Sequence, residues 1–354
     1  MTAIQSHESS TDMNEATQDL LTRPLHLDDI SEAAKALEGV VVRTPLLENI
    51  DINKQLSGRL LIKAECMQRT GAFKIRSAYN RMRQMSDPEL KRGAITYSSG
   101  NHAQGLALAA QLLGSSSLIV MPEDTPLQKI QRTKALGANV VTYNRDTESS
   151  DDVVARLWAE TGRIGVPPSG DMRTHAGVGT AALEILHQSQ DLGASLDAVL
   201  IPCGGGGLTA AAAFVMNECS PDTQVYTVEP ELFDDTRRSL SAGKRVFNPV
   251  RQRTICDAIM TPTPNQETFK INQQLLAGGL TVSNDEVCDA MLFAYEHYKL
   301  VIEPGAAVGL AAVLSNKINI KDKTIAVCVT GGNIAPNRFM ELLNIAIQRR
   351  GETT

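Results

Sequence analysis

The feature of this sequence that most constrains its fold is an alternation of short apolar runs with helical patterns. Residues 93–97, 117–121 and 139–143 are short runs of the β-branched and apolar residues typical of strands, and segments with helical spacing separate them. Similar runs recur later, at residues 198–202, 224–228 and 324–329. Strands joined by helices in this way form parallel βα units, so the sequence predicts an α/β fold with doubly wound, mostly parallel sheets.

The length of the chain indicates two domains, because 354 residues exceed the usual size of one hydrophobic core. We predict that a smaller domain, residues 65–168, is inserted into a larger one formed by residues 26–64 and 169–354. The turn-rich segment 167–170 is the predicted crossing between them. Residues 1–25 are predicted to be a flexible N-terminal arm, because the early part of this segment is polar and acidic.

Composition excludes several classes of partner. The net charge is -6 and no dense Lys/Arg block occurs, which argues against nucleic acid or an anionic membrane as the main partner and favours a small molecule. The chain has no apolar run of membrane-spanning length and no signal-peptide pattern, so a cytoplasmic protein is expected. The six cysteines are scattered without a Cys-x-x-Cys pair, which is typical of reduced thiols rather than a zinc or disulfide scaffold.

One lysine is a candidate nucleophile. Predicted strands at residues 40–46 and 60–65 precede Lys74, which lies in an apolar setting near the start of a predicted helix, residues 72–85. Burial disfavours the ammonium form, and the nearby Arg76 would disfavour it further, so Lys74 could act as an amine in Schiff-base chemistry. The local sequence alone also fits an ordinary solvated helix residue.

Two loops that follow predicted strands have the composition of anion sites. Residues 98–102 combine hydroxyl groups with a helix start, which suits a carboxylate, although a plain capping turn is an alternative. Residues 204–208 include four consecutive glycines before a helix. Glycine discards its side chain at an entropic cost, so a close approach to the backbone is indicated, and a phosphate is the expected ligand. A tight turn without a ligand is the alternative.

A third loop, residues 330–333, follows the last strong strand and offers the hydroxyl of Thr330. That hydroxyl could hydrogen-bond a heteroaromatic nitrogen as a neutral partner, or the segment could be a simple turn. In open α/β sheets, ligands bind outside the carboxyl ends of the strands. The three loops are therefore expected at one edge.

Together these motifs resemble the fold-type II pyridoxal-phosphate enzymes, whose fold is like that of the tryptophan synthase β subunit. The closest resemblance is to the serine/threonine dehydratases and serine racemases. The matching segments occur in the same order as in that family: residues 43–46, 73–76, 98–105, 204–208, 303–306 and 330–333.

The resemblance implies a role for each matching residue. Lys74 would bind pyridoxal 5'-phosphate covalently and act as a catalytic residue, with Ser99 as the second catalytic group on the opposite face. The other implied cofactor-binding residues are Phe73, Asn101, Gly204, Gly205, Gly206, Gly207, Leu208, Glu303 and Thr330. The substrate carboxylate would be bound by the loop formed by Ser98, Ser99, Gly100, Asn101 and His102.

The resemblance also implies an activity and an assembly. An ammonia-lyase that converts L-threonine, L-serine or both into a 2-oxo acid and ammonia is the leading expectation, in a homodimer. The alternatives are an amino-acid racemase and a 3-hydroxyaspartate dehydratase. A non-catalytic cofactor-binding protein is disfavoured, because both Lys74 and Ser99 are present. The cysteine, aspartate and alanine at residues 256–258 depart from the family pattern and leave the substrate open.

An acidic segment just after a predicted strand, residues 229–235, suggests a metal site. By resemblance, the carboxylates of Glu229 and Asp235 and the carbonyl of Phe233 would bind a divalent cation. Oxygen ligands suit magnesium, or calcium in its place. A solvated acidic loop is the alternative.

Overall fold

The structure, a computed structural model, describes residues 24–249 and 253–352. The predicted N-terminal arm therefore lies almost entirely outside the described residues. Within them, two sheets are packed against helices. The strands are β1 Leu46–Glu48, β2 Arg59–Ala64, β3 Ala94–Tyr97, β4 Ser117–Pro122, β5 Asn139–Tyr143, β6 Ile164–Gly165, β7 Ala198–Pro202, β8 Gln224–Pro230, β9 Gly278–Val282 and β10 Thr324–Val329.

The α-helices lie between and around these strands. In chain order they are α1 Leu27–Leu37, α2 Ile50–Leu56, α3 Lys74–Met82, α4 Asp87–Arg92, α5 Asn101–Leu112, α6 Leu127–Ala135, α7 Ser150–Thr161, α8 Met172–Asp191, α9 Gly207–Cys219, α10 Asp235–Ala242, α11 Gln266–Leu275, α12 Asn284–Phe293, α13 Pro304–Leu314 and α14 Pro336–Glu352. No helix in the described part of the chain is long and apolar enough to cross a membrane.

The larger sheet has the strand order β1-β2-β10-β7-β8-β9. All its neighbouring strands are parallel except β1, which runs antiparallel to β2. Val327 on β10 pairs with Ile62 on one side and Leu200 on the other, and all three are buried. Continuous apolar strands of this kind need cover on both faces, and separate apolar clusters pack on the two sides of the sheet.

The smaller sheet has the order β5-β4-β3-β6 and is parallel throughout. It has its own apolar cluster, to which α3 and α5 contribute. The α/β fold class with mostly parallel sheets is thus confirmed. Strands of the larger sheet come from both sides of the smaller sheet in the sequence, whereas the proposed division into a surrounding and an inserted domain stays a prediction.

The strand predicted at residues 40–46 is wrong. The backbone amides of Val40 and Val41 both donate to the carbonyl of Leu37, at 3.0 and 3.1 Å, so the end of α1 continues as a turn. The next residue, Val42, hydrogen-bonds the side-chain amide of Gln68 through both its N–H and its carbonyl, at 2.9 and 2.7 Å. A side chain therefore takes the place of a neighbouring strand, and β1 starts only at Leu46.

A buried ionic network joins the start of α3 to α8. Arg76 is fully buried and bonds the carboxylates of both Glu65 and Glu184. Lys63, on β2, donates to Glu184 at 2.6 Å. The network fixes the helix that begins with Lys74 against the body of the larger sheet.

Candidate active site

Lys74 is the first residue of α3 and is partly buried. Its Nζ donates to the carbonyl of Pro168 at 2.9 Å and lies 5.0 Å from the centre of the Phe73 ring. Burial lowers the pKa of the Lys74 amine to about 8. The expected contribution of Arg76 to this shift is absent, because two carboxylates neutralise its guanidinium. A useful fraction of Lys74 is therefore a neutral amine near neutral pH.

The loop that contains Thr330 lies beside this lysine. The amide of Phe73 donates to the carbonyl of Thr330 at 3.2 Å, and Ala72 forms an antiparallel bridge with Gly331. Thr330 itself is buried. The structure thus brings the end of β10 next to the residue before Lys74, although the two segments are far apart in the sequence.

The serine-containing loop, residues 98–102, reaches the same place through α5. A Cβ atom added to Gly105 on α5 would lie 2.9 Å from the carbonyl carbon of Lys74, so glycine permits the close packing of α5 on α3. Within the loop, the amide of Gly100 donates to Ser98 Oγ at 3.2 Å, and Ser99 is partly buried. The loop therefore precedes a helix whose first turns lie against Lys74.

His102 lies at the buried end of this loop. Its Nε2 is 2.9 Å from the carbonyl of Val166, which can only accept, so Nε2 is the protonated nitrogen. Burial lowers the pKa of His102 to about 3, and the ring is neutral at working pH. In the described part of the chain, Nδ1 has no hydrogen-bond partner. The imidazole therefore has no charge to offer a substrate carboxylate.

The glycine-rich loop precedes α9, which begins at Gly207 without a side-chain cap. The carbonyl oxygen of Gly205 accepts two hydrogen bonds from the start of α11. Thr268 Oγ1 donates to it at 2.7 Å, and the backbone amide of Asn265, the residue just before α11, donates to it at 3.3 Å. Gly206 has φ +86°, and a Cβ there would lie 2.7 Å from Asn272 Nδ2. Only glycine fits this turn.

The amides of this loop remain available to a ligand. The first N–H groups of a helix lack intrahelical partners, and among the described residues the amides of residues 204–208 donate to no protein acceptor. A ring of such amides at the positive end of a helix is suited to a phosphate group. The geometry therefore fits a phosphorylated cofactor without any charged side chain.

Residues 168–175 connect the glycine loop to Lys74, a connection that the sequence analysis missed. Pro168 accepts from Lys74, and a Cβ on Gly205 would lie 2.8 Å from Ser169 Oγ. His175 accepts from the amide of Gly170 at 3.2 Å, and burial lowers its pKa to about 4. The sequence signal here is the run of turn residues at 167–170, which predicts a domain crossing and does not by itself indicate a contact with Lys74.

Glu303 lies behind Asn101 in the buried part of the site. The side-chain amide of Asn101 donates to Glu303 Oε1 at 2.6 Å. Burial raises the pKa of Glu303 to about 7. A Cβ on Gly331 would collide with Glu303 Oε1, so glycine is required where the Thr330 loop passes this carboxyl group.

The acidic segment forms a separate buried site at the end of β8. Glu229 accepts hydrogen bonds from the amides of Thr236 and Arg237, at 2.9 and 2.8 Å, while Asp235 Oδ1 accepts from Asn248 at 2.6 Å. The other oxygen of Asp235 is buried and has no partner among the described residues. Burial and the nearby Asp235 raise the pKa of Glu229 to about 8.

The donor set at this second site is small. Among the described residues no cluster of three or more His, Cys, Asp or Glu side chains is arranged to bind a metal. An unpartnered carboxylate oxygen beside a second buried carboxylate nevertheless fits a hard cation, whose charge would relieve the repulsion.

The fold and site are those of an α/β enzyme in which the amine of Lys74 lies near both the glycine-rich loop, residues 204–208, and the helix that follows the serine-containing loop, residues 98–102. A family model described as pyridoxal-phosphate dependent enzyme matches residues 37–331. The chain belongs to this family, and pyridoxal phosphate is its cofactor.

Similarities to individual proteins refine the comparison. The chain is 37% identical to an L-threonine ammonia-lyase of Thermotoga maritima over 92% of this chain and 80% of that protein. It is 36% identical to an L-threo-3-hydroxyaspartate ammonia-lyase of Saccharomyces cerevisiae over 89% of this chain and 95% of that protein. The solved structure of maize serine racemase matches with a TM-score of 0.84 and 31% identity, over 92% of this chain and 99% of that chain.

Proposed function

We propose that this chain is a pyridoxal-phosphate-dependent ammonia-lyase that converts L-threonine, L-serine or both into a 2-oxo acid and ammonia. The observation that carries the proposal is the Lys74 amine, whose lowered pKa and position beside Phe73 and the Thr330 loop suit both cofactor attachment and proton transfer. The ammonia-lyase names of two relatives support the reaction class.

Each part of the site has a role in holding the cofactor and substrate. The amides of residues 204–208 would bind the phosphate, Phe73 and Asn101 would contact the ring, and Thr330 would face its nitrogen. When bound, pyridoxal phosphate supplies a covalent attachment for the substrate amine and an acceptor for negative charge. The serine-containing loop, residues 98–102, would bind the substrate carboxylate.

Lys74 would then perform the proton transfers. With a pKa of about 8, its amine can remove the α-proton of the substrate and deliver a proton to the departing β-hydroxyl group. Loss of water gives an unsaturated amine, and hydrolysis of that amine yields the 2-oxo acid and ammonia. Thr330 is a neutral partner for the ring nitrogen and would not protonate it. Negative charge on the ring is therefore less stabilised, which favours prompt loss of the β-hydroxyl group.

Two other activities are possible at the same site. If Ser99 returns a proton to the face opposite Lys74, the product is the other enantiomer, and similarity to a serine racemase supports this second candidate. A 3-hydroxyaspartate substrate is supported by the yeast relative.

Purified protein should be incubated with L-threonine, L-serine and L-threo-3-hydroxyaspartate while 2-oxo acid and enantiomer composition are followed. Inversion of serine without oxo acid would overturn the lyase assignment.

The acidic site is proposed to bind Mg²⁺ through Glu229, Asp235 and the carbonyl of Phe233. The unpartnered oxygen of Asp235 and the raised pKa of Glu229 support a cation there. This cation would have a structural role, because it would join the end of β8, which carries Glu229, to the start of α10, whose first residue is Asp235. We also propose that the protein is a cytoplasmic homodimer. Sedimentation of the purified holoenzyme measures the number of subunits.

A further inference from the structure

A series of directed hydrogen bonds links Asn333, Asn101 and Glu303. Asn333 Nδ2 donates to the backbone carbonyl of Thr70 at 2.7 Å and to Asn101 Oδ1 at 2.8 Å. Asn101 Nδ2 in turn donates to Glu303 Oε1 at 2.6 Å. Three segments distant in sequence therefore meet at a single amide.

The donor and acceptor properties of these groups fix the direction of each hydrogen bond in the series. A backbone carbonyl can only accept, so the amide nitrogen of Asn333 must face Thr70. That same nitrogen can only donate to Asn101, which forces Asn101 to present its oxygen to Asn333 and its nitrogen to Glu303. Glu303 cannot impose this direction, because a carboxyl group with a pKa of about 7 can donate or accept near neutral pH.

The backbone around Asn333 is built for these contacts. Gly71 has φ +72°, and a Cβ there would lie 2.6 Å from Asn333 Oδ1. Thr70 has φ +63°, which is unfavourable for a β-branched residue. Residues held in such conformations persist only when their surroundings enforce them, and they cluster at functional sites. The carbonyl that Asn333 recognises belongs to this strained residue.

We propose that Asn333 is a positioning residue that sets the hydrogen-bond polarity of Asn101 toward the cofactor. This inference rests on the proposed role of Asn101 as a ligand of the cofactor ring. With its oxygen bonded to Asn333 and one N–H bonded to Glu303, Asn101 keeps its second N–H as the donor for a bound ligand. An oxygen substituent on the ring is the acceptor that this donor recognises.

Loss of Asn333 removes the constraint on direction. The amide of Asn101 can then rotate by half a turn, present its oxygen to the ligand and accept a hydrogen bond from protonated Glu303. A ring oxygen that carries negative charge would meet an acceptor instead of a donor. We expect cofactor affinity to fall about tenfold, the typical effect of an unsatisfied buried polar group. The absorbance spectrum of the bound cofactor is expected to change, because it depends on protonation around the ring.

The test uses the holoenzyme with Asn333→Asp and Asn333→Ala. The first variant keeps the shape but replaces the donor by an acceptor, and the second removes both without adding charge. Pyridoxal phosphate affinity is measured by fluorescence titration, and the cofactor spectrum is recorded as a function of pH. Asn80→Asp is the matched control, because Asn80 Nδ2 also donates to a buried backbone carbonyl, that of Arg173 at 2.7 Å.

Each outcome has a defined meaning. Weaker binding and an altered pH dependence of the spectrum in the Asn333 variants, with an unchanged spectrum in Asn80→Asp, support the inference. Wild-type affinity and spectrum in Asn333→Ala overturn it, as does a fall in melting temperature alone. Absence of cofactor absorbance in the wild-type protein would contradict the proposed function instead. The two failures are thereby distinguished.

Discussion

Arg76 and Glu184 form a two-point ion pair in which the two guanidinium nitrogens bond the two carboxylate oxygens at 2.7 and 2.8 Å. Arg76 lies two positions after Lys74 on α3, and Glu184 lies on α8. The pair therefore anchors the helix that presents the reactive lysine. It also explains why Arg76 does not lower the pKa of Lys74, since its charge is compensated.

Breaking the ion pair between Arg76 and Glu184 should lower the free energy of unfolding. Glu184→Gln removes the carboxylate that pairs with Lys63 and leaves Arg76 paired with Glu65 alone. Removal of one partner of a buried pair costs about 3–5 kcal/mol, so we expect a loss of that order in the free energy of unfolding, measured with urea. The control is Lys54→Gln, which breaks an exposed pair with Asp51 and should change stability by less than about 1 kcal/mol. Equal effects would contradict the anchoring role.

The lowered pKa of Lys74 predicts the pH dependence of cofactor binding. Only the neutral amine attacks the aldehyde, so the association rate of pyridoxal phosphate with apo protein should rise with pH and level off above about 8. Stopped-flow absorbance measures this rate. Lys74→Arg should give no covalent absorbance at any pH. A midpoint near 10.5, the ordinary value for lysine, would show that the amine is solvated.

Thr268 should contribute to phosphate affinity without contacting the phosphate. Its hydroxyl orients the carbonyl of Gly205, and Thr268→Val removes that bond while keeping the shape of the side chain. We expect cofactor affinity to fall about fivefold, equivalent to about 1 kcal/mol for one hydrogen bond. Thr223→Val is the matched control, because the buried Thr223 donates to the carbonyl of Leu196 in another part of the fold. The same loss of affinity in both variants would exclude a specific role for Thr268.

Local sequence patterns predicted seven of the ten strands in the described residues, namely β2, β3, β4, β5, β7, β8 and β10, and the positions of the three loops, because these depend on neighbours within a few positions. The short strands β1 and β6 and the glycine-containing β9 were not predicted. The contacts between the loops could not be predicted in the same way. Asn333 meets Asn101 across 232 positions, and Thr268 meets Gly205 across 63. No local pattern encodes such pairs. The wrong strand at residues 40–46 has the same origin, since its hydrogen-bonding partner is the distant side chain of Gln68.

The acidic site can be tested by adding a cation to the purified protein. Mg²⁺ should raise the melting temperature, because an ion that binds only the folded state stabilises it. Asp235→Asn should remove this increase. Asp234→Asn is the control, because Asp234 is paired with Arg237 and Arg238 and should leave the response to Mg²⁺ intact. An equal response in wild type and Asp235→Asn would exclude Asp235 as a ligand.

Substitution of Ser99 should distinguish the two reactions proposed for this site, elimination and inversion. Elimination needs the base on the Lys74 side, whereas inversion also needs a proton donor on the other face. Ser99→Ala should therefore reduce formation of D-serine from L-serine by about 10²–10⁴-fold, the usual contribution of a positioned acid or base. Formation of 2-oxo acid should fall much less.

Chiral chromatography and an oxo-acid assay measure both products of Ser99→Ala in one reaction. Lys74→Ala is the control, since loss of the shared base should abolish both. If Ser99→Ala lowers the two rates by the same factor, Ser99 acts in a step common to both reactions, such as binding of the substrate carboxylate. A wild-type enzyme that makes no D-serine and a variant that keeps its lyase rate would together identify the chain as a lyase in which Ser99 has no proton to transfer.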